Sequence, residues 1–287
     1  MDNIRKIQRF RKSKPTIEGA GVRLKRAFGY HDVPLLDPFL LLDDFHSDNP
    51  DDYKAGFPWH PHRGIETITY MLHGDVMHED SLGNRGVIRS GEVQWMTAGN
   101  GIIHQEMPHQ NDGVLWGFQL WANLPAAYKM MNPRYRDVKK EQIPEVHLNN
   151  GVKARIICGE VNGIKGPVQD IVTDPEYLDV TIAPQSEFAH HVKKGYTIFA
   201  YVIKGKGYFD QTRDQLISAE NLVTYKDGEK VRITSELEAV RFLLISGKPI
   251  GEPVAWYGPI VMNTKEELEL AFEEYQNGTF LKYSNLQ

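Results

Sequence analysis

Cysteine is almost absent from this chain: Cys158 is the one thiol in 287 residues. A lone thiol excludes an intrachain disulfide and leaves no set of thiolates for a structural zinc or iron–sulfur centre. Within Ala154-Arg155-Ile156-Ile157-Cys158-Gly159 it reads as a small buried hydrophobe. An excess of positive charge is missing too. Lys and Arg number 33 against 38 Asp and Glu, a net charge of −5, and this gives no support for nucleic-acid binding through a global basic field. No apolar run is long enough to span a bilayer, and Met1 to Lys14, though basic, lacks the apolar stretch of a secretory signal. The four basic residues between Arg9 and Lys14 read as a solvated terminus. The expectation is a cytoplasmic protein with neither nucleic acid nor membrane as a direct partner.

What is present is ordinary in bulk and specific in pattern. Hydrophobic residues make up 41% and charged residues 25%, as in soluble globular proteins, and the length suggests two domains. Short β-rich runs recur at eight-to-twelve-residue spacing. Examples are Glu66-Thr67-Ile68-Thr69-Tyr70-Met71-Leu72, Gly91 to Gly99 and Leu115 to Trp121, with His73-Gly74-Asp75 as a turn. This rhythm predicts a closed or double-sheet β-architecture. Pro125 to Asn150 is polar and proline-bearing, and reads as an inter-domain link. Beyond it the rhythm returns, and Lys204-Gly205-Lys206-Gly207 repeats the relation of His73-Gly74-Asp75 to its strand, so the second half reads as a degenerate copy of the first. Thr264 with Glu267 forms a capping box for a helix striped by Leu268, Ala271, Phe272 and Tyr275, with Gly278 at its C-terminal end.

The stretch from Phe57 to Glu106 carries the chemistry. Two pairs of metal-competent side chains stand two residues apart, His60 with His62 and His104 with Glu106. Successive side chains alternate faces along a strand, so each pair shares a face. If the two strands lie side by side, three imidazoles and a carboxylate converge inside a sheet. Such a nitrogen and oxygen set suits iron, manganese, nickel, copper or zinc. Glu66 has the same parity as His60 and His62, so strand alternation does not exclude it as the carboxylate ligand in place of Glu106, or as a partner orienting a histidine. Most of the other histidines, His31, His46, His109 and His147 among them, read as structural or exposed. His190 and His191 are adjacent, face opposite ways on a strand and cannot chelate as a pair; no metal is expected in the second half.

The motifs Leu36-Asp37-Pro38-Phe39-Leu40-Leu41, His60-Pro61-His62-Arg63-Gly64-Ile65-Glu66-Thr67, His78-Glu79-Asp80, Gln94-Trp95-Met96-Thr97-Ala98-Gly99, Gly101-Ile102-Ile103-His104-Gln105-Glu106 and Leu120-Trp121-Ala122-Asn123-Leu124 resemble the pirin family of the cupin superfamily, as does the tail from Gly251 to Thr264. The resemblance covers nearly the whole chain. It implies an all-β bicupin: two tandem cupin (double-stranded β-helix, or jelly-roll) barrels with a short C-terminal helix. The expected domains are 1–135, metal-binding, and 145–287, degenerate. It also implies one mononuclear divalent metal, usually Fe(II), held by His60, His62, His104 and Glu106. The leading implied activity is that of a quercetinase, a quercetin 2,3-dioxygenase taking a flavonol-like aromatic and O2, with Glu106 as the catalytic base. Phe57, Trp59, Met96, Trp116 and Phe118 are candidates to line its pocket. The alternative is a redox-sensitive, iron-binding regulatory protein, a transcription co-regulator or a modulator of a metabolic enzyme, with a protein partner and no turnover.

Overall fold

The computed structural model describes residues 3–109, 113–148 and 151–282. The chain forms two compact units, each an antiparallel cupin barrel built from one seven-stranded and one four-stranded sheet. Neither unit is contiguous in sequence. The first barrel comprises Lys14–Lys140 with Ile250–Gln287, and the second comprises Met1–Ser13 with Glu141–Pro249. The chain passes from the first unit to the second between Lys140 and Glu141, and its two ends each belong with the other half's unit.

In the first barrel the larger sheet runs, in spatial order, Arg134–Val138, Val93–Thr97, Ile65–His73, Leu115–Asn123, Phe39–Ser47, Val22–Phe28 and Lys14–Glu18. The smaller runs Phe57–His62, Ile102–His109, Asp75–Asp80 and Arg85–Ile88. Ile65–His73 and Val93–Thr97 are rich in β-branched and aromatic residues, and glycines with positive φ, such as Gly74 at +76°, reverse the chain between strands. The second barrel repeats the plan. Its smaller sheet is ordered Glu187–His191, Lys230–Ser235, Lys206–Tyr208 and Leu216–Ser218.

Two stretches read as unstructured are strands. The basic terminus contributes Ile7–Lys12, which pairs with Asn221–Tyr225 at one edge of the second barrel's larger sheet. The polar region from Pro125 contributes Arg134–Val138 to an edge of the first barrel and Glu145–Leu148 to an edge of the second. Edge strands keep a hydrogen-bonding side toward solvent and tolerate charge and proline, so their sequences lack the apolar signature of central strands. The capping box at Thr264 forms as expected, opening the helix Lys265–Gln276. Among the described residues no helix is long and apolar enough to cross a membrane.

Candidate metal centre

His60 and His62 lie on the strand Phe57–His62, and His104 and Glu106 on its neighbour Ile102–His109. The register places His104 directly opposite His60, and an irregularity then sets Glu106 opposite Phe57. The three imidazoles come together, with one ligating nitrogen from each lying within 4.8 Å of the others. The Nε2 of His60 stands 3.0 Å from that of His62 and 3.0 Å from that of His104.

Hydrogen bonds fix which ring nitrogens carry protons. His60 Nδ1 is 2.8 Å from the Pro58 carbonyl and His62 Nδ1 is 3.1 Å from the Pro259 carbonyl. A carbonyl oxygen only accepts, so in the neutral rings both Nδ1 atoms hold the hydrogen and both Nε2 atoms present bare lone pairs. Two lone pairs 3.0 Å apart repel unless a cation sits between them. Donors at right angles around an ion with bonds of about 2.1 Å stand about 3.0 Å apart. The residues present therefore fit a transition metal.

Burial completes the arrangement. His62 and His104 are each 1% exposed. Desolvation, aided by the neighbouring imidazoles, holds both well below the ordinary histidine pKa, and His60 is lowered chiefly by burial. Neutral rings are the form that binds metal. Glu106 is buried too, and desolvation pushes its carboxyl up to about 7 against the opposing hydrogen bond from Thr69. The Thr69 hydroxyl lies 3.1 Å from Glu106 Oε1 and 2.6 Å from the Gln119 side-chain oxygen. One hydroxyl hydrogen serves one acceptor. With the Gln119 amide turned so that its nitrogen donates to Thr69, the hydroxyl passes its own hydrogen to Glu106.

Glu66 is placed elsewhere. Its Oε1 accepts from Thr97 at 2.6 Å, and it points to the opposite face of its strand from Thr69, three residues on. Parity with the histidines does not carry over, because Glu66 belongs to the next strand, beyond a reversal at Gly64 with φ +78°.

The C-terminal tail, remote in sequence, completes the surroundings. Pro259 fixes the tautomer of His62, the backbone nitrogen of Val261 donates to the Arg63 carbonyl, and a Cβ on Gly64 would stand 2.0 Å from the Val261 oxygen. The Lys129 ammonium donates to the carbonyls of Gly64 (2.8 Å) and Val261 (3.0 Å) and to Asn123 Oδ1 (2.6 Å); its burial lowers its pKa to about 7. Arg63 donates to the carbonyls of Asn100 and Phe280 and pairs with Glu274.

His60, His62 and Glu106 line a cavity of about 870 Å³ with a mainly apolar wall. Of the expected lining side chains, Phe57 and Trp59 are there. Met96 and Phe118 are fully buried instead, and Trp116 stacks on His46 at 4.0 Å. Trp121, Trp256 and Tyr257 line the cavity and were not singled out by sequence; their separation along the chain leaves no local signal. His78 was also passed over. It is buried opposite Glu106 on the adjoining strand, in the quoted motif with Glu79 and Asp80.

Comparison with known proteins finds similar sequences and folds. The Pirin family profile matches residues 21–122, and the profile of the pirin C-terminal cupin domain matches 177–281. A Pseudomonas aeruginosa protein named "Putative quercetin 2,3-dioxygenase" is 42% identical over 282 residues, covering 97% of this chain and 99% of its own length. Pirin-1 of Arabidopsis thaliana is 44% identical over 263 residues, 91% of this chain and 89% of that one. The crystal structure of a quercetin 2,3-dioxygenase from Acinetobacter baumannii superposes with a TM-score of 0.88 at 30% identity, covering 96% of this chain and 98% of that chain.

Proposed function

The chain belongs to the pirin family, and we propose that it is a metal-dependent dioxygenase that holds one mononuclear Fe(II) through His60, His62, His104 and Glu106 and cleaves a flavonol with O2. The observation that carries this reading is the convergence of Nε2 lone pairs, set by the Pro58 and Pro259 carbonyls, beside an apolar cavity large enough for a flat aromatic. The same donor types accept manganese, nickel, copper and zinc, so metal identity belongs to the test.

When bound, the ion supplies Lewis acidity toward the adjacent hydroxyl and keto oxygens of a flavonol and a centre for reaction with O2. The chain's own residues handle the proton. The substrate hydroxyl gives its hydrogen to a carboxylate oxygen of Glu106, the acidic side chain on the cavity wall beside the histidines. Thr69, braced by Gln119, holds that carboxylate in place. Phe57, Trp59 and Trp121 offer ring faces to the substrate, and the apolar wall keeps out water, which strengthens each polar contact inside.

Aerobic incubation of iron-reconstituted protein with quercetin tests the reading, alongside manganese-, nickel-, copper- and zinc-loaded samples. Loss of flavonol absorbance with uptake of O2 is expected. Unchanged absorbance with every metal at saturation overturns it.

A further inference from the structure

Apart from the imidazoles, Glu106, Glu18 and the tyrosine hydroxyls, the polar side chains of the cavity wall fall along one line. Arg26 stands opposite Asp43 across neighbouring strands, Asp43 opposite Gln119, and Gln119 opposite Thr69. Directly opposed residues in antiparallel strands share a face, so these four side chains form a row across four strands, and all four line the cavity. The row is held at both ends. Arg26 grips Asp43 with two hydrogen bonds, of 2.8 and 2.7 Å, and reaches Glu18 with its third nitrogen at 2.8 Å. At the other end Gln119 meets Thr69, and Thr69 meets Glu106. Val22, Leu24, Leu41, Phe45 and Leu115 make up much of the wall around it.

The fold does not require polar groups there. In the second barrel a row across the corresponding four strands reads Ala154, Val180, Phe242 and Val202, each fully buried in the hydrophobic core. Asp43 keeps its carboxylate only 5% exposed, at a desolvation cost an apolar residue would not incur.

We propose that Asp43, held by Arg26, and Gln119, held by Thr69, form a recognition seam for hydroxyl groups at the end of an aromatic ligand remote from its metal-chelating oxygens. This rests on the dioxygenase reading and narrows its substrate class to chelating aromatics with distal phenolic hydroxyls. Asp43 lies two strand spacings from Thr69, about 9–10 Å. That is the reach of a fused two-ring system bearing a phenyl substituent when its hydroxy-keto edge sits beside Glu106. Carboxylate oxygens have further lone pairs after a bidentate arginine contact, so Asp43 accepts from a phenol without releasing Arg26. The Gln119 amide offers a second polar contact along the same line.

The test compares two probes bound anaerobically to metal-loaded protein, read by quenching of tryptophan fluorescence: quercetin, which has distal hydroxyls, and 3-hydroxyflavone, which has the same chelating edge and none. Wild-type protein is expected to prefer quercetin by roughly tenfold or more, the size of one hydrogen bond to a charged acceptor. The paired change Asp43→Asn with Arg26→Gln brings the two affinities together by weakening quercetin alone, and Gln119→Met narrows the gap on its own. A preference that survives in the variants, or equal affinities in wild type, overturns the seam and leaves the dioxygenase reading intact. Binding of neither probe to wild type overturns both. Should the paired variant not fold, Gln119→Met decides by the same ratio.

Discussion

The two barrels share a plan and differ in what fills them. In the second, Phe188 and His190 of the strand Glu187–His191 face Ile233 and Val231 of its neighbour, in the place where the first barrel sets His60 opposite His104. Val231 and Ile233 are fully buried in a continuous aliphatic and aromatic core with Val180, Phe242 and Leu244. His190 stacks on Phe188 and pairs with Glu176 at 2.9 Å. One barrel is packed with side chains and gains the hydrophobic stabilisation of a full interior. The other keeps a cavity of about 870 Å³ with buried imidazoles and a carboxylate on its wall, an arrangement that costs stability and serves chemistry. The comparison teaches that the cupin architecture tolerates either interior, and that the inward side chains of both sheets decide which is built.

The sharpest way to break the comparison is to remove one imidazole from each barrel. His104→Ala is expected to reduce bound metal from one equivalent to near zero, an affinity loss above the ~10–100-fold typical of losing an outer partner. His190→Ala leaves metal content unchanged. Elemental analysis after loading and gel filtration reads both, and equal metal content in the two variants would sink the distinction.

Packing comes next. Phe242→Ala in the filled barrel is expected to cost about 3–5 kcal/mol. Phe57→Ala, which already faces the cavity, should cost about 1 kcal/mol because fewer packed contacts are lost. Urea unfolding measures the gap, and similar losses would mean that the first barrel is not hollow in solution.

A slightly smaller effect concerns pH. Burial lifts Glu106 from its ordinary 4.5 to about 7, so the metal-free folded chain keeps a proton that the unfolded chain releases. Its contribution to stability is fully present below pH 4.5 and is lost as pH rises through 7, a change of about 3 kcal/mol. The buried histidines, held below their ordinary pKa, titrate alike in wild type and Glu106→Gln, so in chelator the stability difference between the two proteins should show this loss between about pH 5 and about pH 8. Parallel profiles from the two proteins would refute it.

Smallest in its effect on metal binding, and most diagnostic of the tail, is the contrast between two matched glycines. Gly64 and Gly205 both have positive φ, and a Cβ on either would stand 2.0 Å from a backbone carbonyl oxygen. Alanine at each should cost at least about 1–2 kcal/mol for the left-handed conformation. Only Gly64→Ala should also weaken metal binding, by about tenfold, because it pushes on Val261 two residues from the carbonyl that orients His62. A chelator-competition titration distinguishes them.

Several of these features were legible from residues alone. The spacing of His60 with His62 and of His104 with Glu106 predicted that each pair shares a face, because alternation follows from the geometry of any strand. The three imidazoles do meet. The capping box at Thr264 was equally local. Glu66 illustrates the limit: its parity was right along an unbroken strand, but the reversal at Gly64 starts a new one and turns it toward Thr97. The strands at Ile7–Lys12 and Arg134–Val138 were missed because an edge strand with a solvated side carries little periodicity.

By itself, then, the sequence determined the β-rich class, the shared face of His60 and His62 and the exclusion of an intrachain disulfide or multi-thiolate centre, since each depends on covalent geometry or composition over a handful of residues. Tertiary structure alone decided that the ends of the chain lie with opposite halves, that Pro259 orients His62 across a sequence separation of 197, and that Arg26, Asp43, Gln119 and Thr69 line up along one wall. Those outcomes depend on register between distant strands, and register is set by which faces of the whole sheet are buried together, a property no short stretch of chain contains.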